Sequence, residues 1–188
     1  RDFRDNVAAE IWAALGYGGA SSVFSESELP VAAIALAVLA GVMVVRDNLR
    51  ALMVIHVIIV AGFILLGASA WAFEAHMISP LTFMILAGAG LYMGYTPFNA
   101  MLFDRLVAYS GRVATAGFLI YLADASGYLG SAALLVWRNF GAVRLDWLKF
   151  FILSAYWVSA AGAVLAAAAA LYFLYQGRQP RPPGAEAI

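Results

Sequence analysis

Two acidic or mixed-charge stretches stand inside otherwise apolar sequence, and both have the residue types for binding or proton transfer. The chain opens with "RDFRDN", followed by Glu10 on the same segment. Arg1 or Arg4 would hold an anionic group, because a guanidinium is planar and donates in a fork that matches carboxylate or phosphate. Asp2, Asp5 or Glu10 would accept a proton. The same cluster also reads as a self-neutralising packing network: Arg1 and Asp5 are four apart on a helix, and Asp2, Asn6 and Glu10 form a second polar stripe. The other stretch is "YLADASGYLG", where Asp124 sits in an apolar run with Tyr121, Ser126 and Tyr128 placed to line the same cavity. A carboxylate there is a candidate proton or cation site, or a hydrogen-bonded packing residue.

A third segment, "GYTPFNAMLFDR" (94–105), combines Gly94, Pro97 and Asn99. Pro97 cannot donate to the carbonyl of Met93, so the segment can bend there as a hinge. Asn99 would cap the freed groups or touch a solute. His56 and His76 have no neighbours at metal-ligand spacing, and no metal site is expected. No nucleophile triad, phosphate-cradling glycine loop or haem signature is present, so neither an enzyme nor a cofactor is expected.

The elements that would carry these residues follow from composition. Of 188 residues, 64% are hydrophobic and 12% charged, with a mean hydropathy of +0.87. Water-soluble domains carry about 25% charged residues; this chain needs a lipid bilayer as its solvent. Net charge is zero, which gives nucleic acid no electrostatic footing, and cysteine is absent, which removes disulfides and thiol chemistry. No cleavable signal pattern is visible near the start.

Five apolar runs are long enough, or nearly so, to cross some 30 Å of hydrocarbon as helices. They are Pro30–Val45, Ala51–Phe73, Leu81–Phe103, Val113–Trp137 and Leu148–Tyr175. The runs are continuous rather than alternating, which excludes barrel strands. The fold class expected is all-α, a polytopic transmembrane bundle with five complete spans plus the end of a sixth. The partial span is "NVAAEIWAALGYGG": Val7, Ile11, Ala14 and Leu15 share a face, and Gly16, Gly18 and Gly19 end it. RDFRDN then reads as the middle of a helix that begins upstream. Residues 17–29 are expected to form a loop, residues 1–176 one bundle, and 177–188, rich in Pro and Gly, a disordered tail.

Arginine placement sets an expected orientation. Arg46, Arg50, Arg105, Arg112, Arg178 and Arg181 fall on one side and Arg138 and Arg144 on the other. This places the C-terminus in the cytoplasm.

The turn "RDNLR" at 46–50 resembles the Asp-Arg-x-x-Arg core of the loop signature of the major facilitator superfamily. Asp47 and Arg50 match; Asn48 replaces the first basic residue. The opening "RDFRDN…AAEIWAALGYG" further resembles an uncharacterised bacterial branch of that superfamily, catalogued as a domain of unknown function. The resemblance implies that the chain is the C-terminal half of a twelve-helix inner-membrane protein, with the first helix here the seventh. It also implies transport of a small solute by rocking one half against the other, and a role for Asp47 and Arg50 in the conformational loop. The solute would be anionic if Arg1 or Arg4 binds it, and would lie between Asp124, Asn99 and the RDFRDN helix. The implied partners are the bilayer and the N-terminal half. The alternative is a non-transporting scaffold whose charged end docks another membrane subunit.

Overall fold

The computed structural model describes residues 2–18, 22–110, 115–140 and 146–177, and all regular structure among them is helical. The elements are α1 (Asp2–Asn6), α2 (Ala8–Ala14), α3 (Ser22–Met43), α4 (Asn48–Glu74), α5 (Pro80–Pro97), a π-helical segment (Phe98–Leu102), α6 (Phe103–Ser110), α7 (Ala116–Phe140) and α8 (Trp147–Gly177). Five stretches are long and apolar enough to cross a membrane: α3, α4, the continuous Pro80–Tyr109, α7 and α8. The protein is a membrane-embedded helical bundle. The expected tail lies outside the described residues from position 178 on, as does Arg1.

Several helix ends have a local chemical cause. Asp47 caps α4 by accepting from the Arg50 N–H at 2.7 Å. Ser79 caps α5 by accepting from the Thr82 N–H, with Pro80 next, where its missing N–H costs nothing. Gly16 ends α2 at φ 90°, with the Tyr17 N–H donating to the Trp12 carbonyl and the Gly16 N–H to that of Ala13. The same closing pattern ends α4, where His76 takes φ 57° while Met77 and His76 donate to Ala72 and Phe73.

Two expectations need correction. The acidic "SSVFSESELP" is not a loop up to Pro30: α3 starts at Ser22 and carries Glu26, Glu28 and Pro30 within it. Pro30 lies inside the helix, in its third turn, where its ring removes the bond to the Glu26 carbonyl. The opening helix is also not continuous, because Val7 interrupts it between α1 and α2.

α4 lies at the centre, packed most extensively on α5 and α8, and α3 covers the other side of α5. The α4–α5 crossing depends on two glycines. A Cβ on Gly90 would fall 2.6 Å from the Gly62 carbonyl oxygen, and one on Gly62 would fall 2.6 Å from the Gly90 oxygen. Small residues let helices in lipid approach this closely, where hydrophobic burial gives little drive. One cluster of buried side chains joins Ile11 and Trp12 of α2 to Leu66, Phe83, Phe150 and Phe151. A second joins Val42, Leu52, Ile55 and Leu102 near the other end of the bundle. α7 has no buried residue and lies along one side.

Candidate functional site

Pro97 stops the regular ladder of α5, and the next turn, Phe98–Leu102, is wound as a π-helix. The break falls where the sequence places it, because the ring removes the donor to Met93. Tyr95 and Asn99 flank it, one turn apart, close to the middle of the continuous span Pro80–Tyr109. Both reach across to Asp124 of α7. The Tyr95 hydroxyl donates to Asp124 Oδ1 at 3.3 Å, and the Asn99 amide nitrogen donates to the same oxygen at 3.2 Å and to Oδ2 at 3.5 Å. Asn99 also donates to the Tyr95 oxygen at 2.5 Å. The three side chains are half-buried. Asn99 Oδ1 is enclosed and has no hydrogen-bond partner among the described residues, so the site retains an acceptor in addition to the carboxylate.

Of the residues expected around Asp124, Asn99 is there and the two tyrosines are not. Tyr121 is 77% exposed and Tyr128 61% exposed, on the outer surface of α7. They share the helical stripe of Asp124, at i−3 and i+4, but the stripe points outward and only its edge touches α5. Tyr95 takes their place. It was hidden in the sequence because nothing in a single helix's spacing shows which residue of a neighbouring helix will face it. Ser126 bonds back to the Leu122 carbonyl at 2.7 Å. Gly94 and Pro97 are buried at the break.

The RDFRDN cluster lies elsewhere. Arg4 is 1% exposed, and its guanidinium is engaged on three sides. Nη2 meets Glu28 Oε1 at 2.6 Å and the Met84 carbonyl at 3.3 Å, and Nη1 meets Asp5 at 3.4 Å. Gly88 makes room for it: a Cβ there would lie 3.0 Å from Nη2 and 2.9 Å from Val31. Arg4 is therefore held in a charge-neutralising packing network, with Nε unpartnered among the described residues. Its main partner, Glu28, comes from the stretch expected to be loop. Asp5 and Glu10 are exposed, and Arg1 and the Asp2 side chain lie outside the described residues. Met84 and Tyr95 are eleven residues apart on α5, about 16 Å of helix, so Arg4 and Asp124 do not share one cavity.

The turn signature is brought together by its capping role. Asp47 caps α4 through the backbone of Arg50, and Asn48, the residue that departs from the signature, accepts from Arg105 of α6 at 2.9 Å. Among the described residues no group of three His, Cys, Asp or Glu side chains could hold a metal ion.

The sequence matches a family of unknown function, DUF5690, over residues 1–176. The chain belongs to the DUF5690 family. No curated protein and no solved structure matches it. In this DUF5690 protein the match covers α1 to α8, so the Asp124–Asn99–Tyr95 group and the Arg4–Glu28 pair both fall within the family's extent.

Proposed function

We propose that this DUF5690 protein is a secondary active transporter, with Asp124 as the proton or cation site and the Pro97 break as its hinge. The observation that carries this reading is the carboxylate-centred group at mid-span, beside a helix interrupted by proline and a π-turn. Ionisable groups at that depth cost about 2.5–3.5 kcal/mol to insert, and interrupted helices near the midplane are where transporters bind solutes and ions. In this reading the protein is of major-facilitator type, this chain forms the C-terminal half, and a further set of helices closes the cavity over α7. The membrane is the bacterial inner membrane, with the α3–α4 turn and the C-terminus on the cytoplasmic side. An anionic solute held by Arg4 finds no support in its enclosed geometry; Asp124 favours a cation or a proton-coupled neutral solute.

The outward face of α7, with Tyr121, Tyr128 and Leu129 exposed, also fits a non-transporting scaffold that docks another membrane subunit there. Asp124→Asn separates the two. The full-length protein would be reconstituted in proteoliposomes and screened with a pH-sensitive dye over a solute panel under proton and sodium gradients. The transporter reading expects coupled uptake of at least one solute, lost in the variant while the protein stays monodisperse. Absence of any coupled flux, or a variant that transports as well as the parent, would sink it.

A further inference from the structure

Between α4, the α5–π segment and α8 the bundle holds a cavity of about 540 Å³. Its walls are almost wholly apolar, with Ile59, Phe63, Leu91, Leu165 and Phe173 among them. Along α5 the lining runs from Leu91 to Leu102 and along α8 from Val158 to Phe173, which makes a slot about 16–22 Å long at 1.5 Å per residue. Gly94 and Gly162 contribute no side chain to fill it.

One polar side chain in this wall has an unused atom. His56 is 4% exposed, and its Nδ1 lies 2.7 Å from the Leu52 carbonyl oxygen. A carbonyl only accepts, so Nδ1 carries the hydrogen and donates it. In the neutral ring that leaves Nε2 as a bare lone pair. Nε2 makes no hydrogen bond with any described residue, and the ring lines the cavity, tilted against Phe173 at 5.6 Å between centroids. The other polar group at the wall is Tyr95, whose hydroxyl is already engaged with Asn99 and Asp124. Nε2 is thus an acceptor open to the cavity, and an acceptor left without a donor among apolar walls is costly.

The geometry points to this slot as a binding site for a long-chain amphiphile with a hydroxyl head. The hydroxyl donates to His56 Nε2, and the chain lies along the slot between α4 and α8. A slot that long and apolar accepts a linear hydrocarbon, and a single acceptor selects for one donor rather than for a charge. This site does not rest on the transport reading, because neither Asp124 nor Asn99 lines the cavity. Tyr95 belongs to both, so occupancy touches the side chain that holds the carboxylate.

The test is photolabelling of the full-length protein in phosphatidylethanolamine and phosphatidylglycerol vesicles with a diazirine analogue of hexadecanol, mapped by mass spectrometry. Label is expected on peptides carrying Ile59, Leu165 and Phe173. Unlabelled hexadecanol should compete about fivefold better than hexadecane, the advantage of one net hydrogen bond. His56→Phe should abolish that preference, and Ala169→Phe, which fills the slot, should lower labelling altogether. Equal labelling of peptides carrying the exposed Leu36 of α3 and Leu122 and Leu129 of α7 would mean ordinary contact with bilayer lipid and would overturn the proposal. So would equal competition by the hydrocarbon, a comparison made on the unmodified protein that needs no variant to fold.

Discussion

Removing either member of the Arg4–Glu28 pair breaks the same 2.6 Å contact, but the two removals should not cost the same. The arginine side chain is 1% exposed and the glutamate 40% exposed. Glu28→Ala leaves a buried guanidinium whose remaining acceptors among the described residues are Asp5 at 3.4 Å and the Met84 carbonyl at 3.3 Å. Stranding a buried charge costs about 3–5 kcal/mol, and the residual contacts bring the expected loss to about 3 kcal/mol. Arg4→Met leaves a carboxylate that can turn to solvent or headgroups, while the methionine fills most of the buried volume of the arginine stem. The loss there is that of a half-exposed pair, about 1 kcal/mol. The difference of about 2 kcal/mol corresponds to roughly a thirtyfold change in the folded-to-unfolded ratio. Reversible unfolding in mixed micelles with rising dodecyl sulfate would measure it, read by the fluorescence of the buried Trp12. If Arg4→Met proves as costly as Glu28→Ala, the stabilisation lies in the volume of the arginine rather than in its charge, and the argument fails. The double variant, Arg4→Met with Glu28→Ala, should recover most of the Glu28→Ala loss.

Three other perturbations have definite signs. Gly90→Ala puts a methyl 2.6 Å from the Gly62 oxygen and 2.9 Å from the Leu66 nitrogen. Both are backbone atoms, so α4 and α5 must part, at an expected cost of about 1–3 kcal/mol in the same unfolding assay. His76→Gly relieves a left-handed residue at φ 57° and should stabilise by about 1 kcal/mol, seen as a later unfolding midpoint. Asp47→Ala removes the α4 cap and should cost about 1 kcal/mol, with faster amide hydrogen exchange confined to residues 48–51.

The spans were legible because length and hydropathy alone decide them. Helix ends and breaks were legible where a residue has a fixed backbone role, as with Gly16 and Pro97. The sides of the helices were not. In lipid a span is apolar all round, so its pattern does not mark which face is buried; this is why Tyr121 and Tyr128 were expected inside and lie outside. The Arg4–Glu28 pair was hidden for another reason. Its members are 24 residues apart, and the acids of "SSVFSESELP" look like a polar loop until Arg4 folds against one of them. Asn99 beside Asp124 could be expected from type and depth, whereas Tyr95 joins them only once α7 is placed against α5.

The π-turn after Pro97 leaves a mark on the rest of the chain. An extra residue in one turn swings everything after it by about 100° relative to an uninterrupted α-helix. Beyond that turn Arg105 meets Asn48 and the Arg46 carbonyl. Deleting one residue between 98 and 102 would restore an even winding and carry Arg105 around the helix, away from the α3–α4 turn. Length in this segment is therefore under tighter constraint than residue type, and a relative that differs here should differ by substitution rather than by insertion or loss.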